Sequence, residues 1–120
     1  MSLFGYLLNS PMNDDELDLL LHAMASQPRR AILDVVRSHS GCNLKYVAGH
    51  FSFSRIGVMK HIDVLEAAGL IVSERSGRER TLYFNAVPIQ QVHEEWTDQY
   101  SRFWAGRLTD LKRIVEKGSK

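Results

Sequence analysis

The apolar positions of the chain fall into several stretches of helical spacing, interrupted once by a pair of strand-like runs. Leu17, Leu20, Leu21 and Met24 recur at intervals of three and four, which predicts a helix over 14–25. Its acids, Asp14, Asp15, Glu16 and Asp18, stand at the end where the helix dipole favours them. Ser26 and Pro28 restart the chain as a helix N-terminus does, and Ala31, Ile32, Val35 and Val36 give a second helix its inner face before Ser40 and Gly41 end it. Leu44, Val47, Ala48 and Phe51 mark a short third helix with Asn43 available as a cap. Ser54 can cap a fourth, in which Val58, Ile62 and Leu65 face a core and Gly69 supplies the stop.

The rhythm then changes. Residues 70–74 and 81–85 carry strand-like side chains and are separated by Ser76, Gly77 and Arg78, whose Ser-Gly step marks a turn. After Pro88, Val92, Trp96, Tyr100, Phe103, Trp104, Leu108, Leu111 and Val115 hold one apolar face for about seven turns, predicting a long helix over 88–117. Helix, helix, short helix, capped helix, hairpin, long helix is the order of a winged helix-turn-helix. The expected fold is therefore mainly α, with a small β-hairpin wing and long N- and C-terminal helices used for dimerisation. Residues 1–120 are expected to form a single domain, with 1–12 either an extra N-terminal helix or an arm whose Phe4, Leu7 and Leu8 would pack on a dimer.

Composition narrows the function classes. At 120 residues, 44% hydrophobic and 24% charged, the sequence suits one globular domain with a modest core. The lone Cys42 has no partner within the chain for a disulfide, which fits a reducing compartment, and the expected location is cytoplasmic. The apolar opening, 3–8, lacks a basic leader and a cleavage signature, and no run approaches the ~20 apolar residues of a membrane span. Neither export nor membrane insertion is expected. A nucleotide-binding glycine loop, paired carboxylates and a nucleophile in recognisable context are all missing, so the sequence does not read as an enzyme and implies no cofactor.

Net charge is only +1, so the placement of charge has to carry any electrostatic argument. The front of the helix over 54–68 carries Arg55, Lys60 and His61 and no acid. In a helix-turn-helix, the first turns of the second helix touch base edges and backbone, where acids would meet phosphates. Around that helix Arg55, Ile56, Met59 and Lys60 lie opposite the apolar stripe, and Gly57 allows a close approach of the backbone. Ser54 with the first-turn amides suits a phosphate oxygen. Arg55 can pair with a guanine edge, Lys60 can reach a base or a phosphate, and Met59 or Ile56 can meet a thymine methyl. His61 lies between the two faces, open either to a phosphate contact or to packing. Arg75, Arg78 and Arg80 cluster round the hairpin tip and read either as a second DNA contact or as a solvated turn balanced by Glu74 and Glu79.

With these pieces in order, the run SRIGVMKHIDVLEAAGLI resembles the recognition region of the ArsR family of winged-helix transcriptional regulators. The family pattern is matched at Ser54, Val58, His61, Leu65, Ala68, Gly69, Leu70 and Ile71, with Ile62 in place of a Leu, and PRRAILDVV resembles the family's second helix. The resemblance spans about residues 17–111. It implies a homodimer that binds an imperfect palindrome in double-stranded DNA and represses, with a small-molecule effector weakening the grip. Met59 stands where the family commonly has Ser, and Gly57 where a polar residue is frequent.

Metal sensing, the use of the family's best known members, is not expected here. The resemblance aligns the family's two thiolate positions with Asn43 and Lys45, leaving Cys42 alone beside them, which reads as a half-buried structural residue with an intersubunit site or a redox sensor as the alternatives. On the last helix His93 and Glu94 point to different sides, and Glu95 and Asp98 bring no second His at ligand spacing. His22, His39 and His50 are scattered. Trp96, Tyr100, Phe103 and Trp104, with Leu108 and Leu111, are expected to pair with Leu17, Leu20, Leu21 and Met24 in a dimer interface. A pocket for an apolar effector is the alternative use of those rings. A winged-helix adaptor that binds protein and not DNA is the rival function.

Overall fold

The computed structural model describes residues 12–118, with the side chains of residues 99–106 and 108 outside that description. The expected arm over residues 1–12 therefore lies outside the described residues except for Met12, which packs against the core and whose backbone N–H donates to Glu95 Oε1 at 2.9 Å.

Helix α1 runs Asp14–Met24 and begins at Asn13, whose Oδ1 accepts from the Glu16 amide at 2.8 Å while its Nδ2 donates to Glu16 Oε1. Helix α2, Gln27–Ser38, begins at Ser26 with Pro28 in its first turn. Arg29 and Arg30 open α2, where the dipole disfavours cations, and they turn back to the carbonyls that end α1. Arg29 donates to His22 O at 2.7 Å and Ala23 O at 3.0 Å, and Arg30 donates to Met24 O at 2.7 Å. Two orphan helix ends are thus joined by the side chains that the second would otherwise carry at a cost.

Strand β1, Cys42–Asn43, leads into the short helix α3, Leu44–Ala48, where Asn43 Oδ1 accepts from the Tyr46 amide at 2.8 Å. Helix α4, Arg55–Ala67, ends in a left-handed Gly69 at φ +78°. There the Leu70 amide donates to Leu65 O and the Gly69 amide to Glu66 O, the double bond pattern that only a residue tolerant of positive φ completes without strain. Strands β2, Ile71–Ser76, and β3, Glu79–Phe84, form the wing, and the long helix α5 runs Val87–Gly118.

The three strands form one antiparallel sheet in the order β1-β3-β2. The hairpin closes more tightly than the sequence predicts. Gly77 at φ +61° permits a two-residue turn, so the ladder continues to Ser76 opposite Glu79. β1 was not expected at all: two residues, pairing Cys42 with Leu82 and Asn43 with Thr81, are too few to show a period.

The core gathers Leu20 and Ala23 of α1, Ile32, Leu33 and Val36 of α2, Leu44 and Val47 of α3, and Val58, Ile62 and Leu65 of α4. Ala68, Leu70, Ile71 and Leu82 complete it. Two expectations change here. Leu33 joins the inner face of α2, and Leu20 is spent inside its own chain, so it is not available to a partner as the dimer expectation required. One turn of α1 presses on α2 and α4, and Leu20 with Ala23 lies on that side. Leu17 is half-buried, Met24 packs against the core, and the exposed leucines of α1 are Leu19 and Leu21.

Candidate nucleic-acid interface

The front of α4 is built by its cap. Ser54, in extended conformation, places its Oγ 3.1 Å from the Gly57 amide and accepts from it. A Cβ on Gly57 would stand 3.3 Å from that oxygen, so glycine also leaves the cap room. Val58, Ile62 and Leu65 are fully buried, which fixes the helix's rotation about its axis and turns Arg55, Ile56, Met59 and Lys60 to solvent. Ile56 is 66% exposed and Met59 38%, and the first turn holds no acid.

Aromatic rings brace the turn before α4. Phe51, packed against the core, stacks on Phe53 at 5.0 Å, and Phe53 meets the His61 ring edge-on at 5.9 Å. On the other side His50 meets both Phe51 and Tyr46, and its Nδ1 lies 2.8 Å from Tyr46 O. His61 is therefore half-buried and in ring contact, while remaining on the flank of the exposed front. The sequence does not show this run of rings, because its members come from α3, the turn after it and α4, and only the fold brings them together.

In the wing, Arg75 and Arg78 are exposed as expected and Arg80 is not. Arg80 is 7% exposed and is bonded to Asp63 and Glu66 of α4, so it does not stand with the tip arginines. The reason is strand parity: residues 80, 82 and 84 share one face of β3, and Leu82 and Phe84 pack on the core. The wing's acids are also engaged. Glu79 Oε1 accepts from Asn43 Nδ2 at 3.2 Å, and Glu74 Oε2 accepts from the Tyr83 hydroxyl at 3.4 Å. The Glu74 charge is the main reason the Tyr83 phenol is pushed above its ordinary value.

Between α3, α4 and the wing lies a cleft of about 260 Å³ lined by Asn43, Leu44, Lys45, Arg55, Arg78, Glu79 and Arg80. Arg55 of α4 and Arg78 of the wing tip share this cleft with Lys45 and Glu79, so the fold brings basic groups from the helix front and the wing to one place.

Cys42 is half-buried beside the core, and burial raises its thiol above the usual value despite a backbone hydrogen bond that acts the other way. Among the described residues no group of three or more His, Cys, Asp or Glu is placed to hold a metal ion, and His93, Glu94 and Asp98 line only an open cleft on α5. Among the described residues no helix is long and apolar enough to cross a membrane. Of the expected dimer residues on α5, Trp96 and Leu111 are exposed, while the side chains of Tyr100, Phe103, Trp104 and Leu108 lie outside the described residues.

A capped helix whose first turn holds no acid, in the second position of a helix-turn-helix and with a basic hairpin beside it, defines a winged helix-turn-helix DNA-binding protein. Comparison with known proteins carries this further. No protein-family model matches the sequence. The chain is 32% identical over 90 residues to the uncharacterized HTH-type transcriptional regulator YuzN of Bacillus subtilis, a match covering 68% of this chain and 95% of that protein. It is similar to the crystal structure of an ArsR family transcriptional regulator, with TM-score 0.70, 28% identity, and 79% of this chain and 96% of that one covered. An ArsR-like transcriptional regulator from a Rhodococcus species shares the fold at TM-score 0.67 and 24% identity, covering 83% of this chain and 92% of that one. The chain belongs to the HTH-type transcriptional regulators, and the solved structures it resembles are of ArsR family and ArsR-like members.

Proposed function

We propose that the chain works as a single domain in a cytoplasmic homodimer that reads a palindromic operator and represses transcription, its grip relieved by a small-molecule effector. The observation that carries the reading is the front of α4, where Ser54 caps a first turn without acids and Arg55, Ile56, Met59 and Lys60 stand together in solvent. Arg55 and Lys60 read base edges, Met59 and Ile56 meet thymine methyls, and Ser54 with the first-turn amides takes a phosphate oxygen. His61 lies beside a phosphate, and Arg75 and Arg78 hold the flanking backbone. Repression follows from occupancy: a dimer spanning two half-sites in a promoter excludes the polymerase.

Dimerisation rests on shape and exposure. The Cα radius of gyration is 18.7 Å, against about 13.6 Å for a compact chain of this length. Helix α5, about 48 Å long by its rise per residue, carries Leu111, Ile114 and Val115 into solvent, and α1 does the same with Leu19 and Leu21. Surface of this kind is what a partner covers.

The test is selection from a random duplex library with purified protein, followed by anisotropy titration of the winner. The expected winner is two-fold symmetric, with half-sites about 34–36 Å or a multiple of that apart. In a reconstituted transcription reaction that winner, placed over a promoter, should lower transcript yield as protein is added. An asymmetric winner, or a transcript that rises, would overturn the dimeric repressor.

A further inference from the structure

The inward turn of Arg80 makes a polar joint between wing and recognition helix. Arg80 Nη2 donates to Asp63 Oδ1 at 3.1 Å and to Glu66 Oε2, and its Nε donates to Ser73 Oγ at 3.1 Å. Ser73 Oγ donates in turn to Glu66 Oε2 at 2.9 Å. One guanidinium thereby ties β3, β2 and the later turns of α4 together. Asp63 and Glu66 are the acids of α4, and both are held by it.

We infer that Arg80 is a positioning residue for DNA binding, fixing the wing against α4 so that Arg75 and Arg78 reach the backbone while the front of α4 is seated. The inference rests on the reading of α4 and the wing as the DNA face. Placement along the hairpin supports it first. Residues 74–79 are all exposed, and Arg80 is the buried side chain nearest the tip, so this joint is the last anchor before the tip. Chemistry supports it next. A planar fork with fixed donors holds several oxygens in one geometry, whereas apolar packing alone would let the hairpin slide on the helix.

Stability is a weak explanation for this residue. A buried guanidinium loses hydration, and Arg80 Nη1 is buried with no hydrogen-bond partner among the described residues. An apolar side chain of similar volume commonly holds a fold as well or better than such a pair. What it would lose is the direction that the fork imposes.

The experiment is a double-mutant cycle read by anisotropy with a duplex the wild-type chain binds, crossing Arg80→Met with the pair Arg75→Ala and Arg78→Ala. A residue that acts through the wing matters only while the wing has contacts to place. Arg80→Met should weaken binding about tenfold in the wild-type background and less than about threefold once both tip arginines are gone. Glu66→Gln opens the same joint from the more exposed helix side, where folding is less at risk, and should show the same non-additivity. An equal loss in both backgrounds would overturn the inference, since a direct phosphate contact or a general weakening of the fold is additive with the wing. No loss in the wild-type background would overturn it too. If the tip substitutions themselves cost nothing, the wing is not a DNA contact; that outcome overturns the reading beneath the inference and, with it, the inference.

Discussion

Arg55 and Arg78 line the same cleft, yet they are held differently. Arg55 stands on a helix whose rotation the buried Val58, Ile62 and Leu65 determine, so its donors have a defined direction, whereas Arg78 sits at the tip of a two-residue turn. Arg55→Ala is expected to cost about 1–3 kcal/mol on the best site and to relax preference at one base position, measured by repeating the library selection with the variant. Arg78→Ala should weaken binding evenly across sequences and reduce the log-log salt slope by about 0.9, as the loss of one phosphate contact requires. Equal effects of the two on sequence preference would contradict this division.

Cys42 belongs to the same scale. Burial raises its thiol, so the folded chain favours the protonated form. Its share of stability is complete below the ordinary thiol value of 9.0 and is lost as pH rises through the higher folded value. Chemical denaturation across the alkaline range should therefore show a decline that Cys42→Ser reduces. Alkylation near pH 8, followed by mass spectrometry, should be slower than for a cysteine in a short peptide.

Among the elements, α4 depends most on a single residue outside it. Ser54 Oγ holds the Gly57 amide, and the same turn presents Arg55 and Ile56. Ser54→Ala should cost about 1 kcal/mol, seen as a fall of about 4 °C in Tm. Affinity for DNA should fall further than Arg55 alone accounts for, because a frayed first turn misplaces its whole exposed front. Ser54→Asp should recover the Tm and not the affinity, since a carboxylate caps a helix well but repels a phosphate. Recovery of both would mean that the cap does not lie near DNA.

Most elements were legible in the sequence because each carried a period and a cap. Ser26, Asn43 and Ser54 stand at helix starts as expected, and Gly69 ends α4 with positive φ, whereas the cap Asn13 was not picked out. The hairpin was legible as an element but not in its register, which is decided by Gly77 admitting a tighter turn. Arg80 shows the limit more sharply. Its parity with Leu82 and Phe84 was available in the sequence and would have turned it inward, but its closeness to Arg78 drew it to the tip. The acids that receive it lie 17 and 14 residues earlier in the chain, and no local pattern links them.

At the scale of the whole molecule, the exposed apolar side chains of α1 and α5 predict a second copy. Sedimentation at micromolar concentration should give twice the mass of the 13.7 kDa chain. A charge placed on α5, as in Leu111→Asp or Ile114→Asp, should shift it toward the monomer and weaken operator binding more than binding to a single half-site. The same substitution on a chain that acts as a monomer would leave both unchanged.

By itself the sequence determined which segments become helices and which side of α4 faces water, although α3 stops at Ala48 and leaves Phe51, counted with it by spacing, outside the helix. These follow from local physics, the period of apolar residues and the chemistry of caps, which act within a few residues. Tertiary structure alone decided that Leu20 is enclosed by its own core, that the wing's acids are drawn into hydrogen bonds and that Arg80 joins the wing to α4. Those outcomes depend on groups far apart in the chain meeting at hydrogen-bond distance, and packing settles which of them meet.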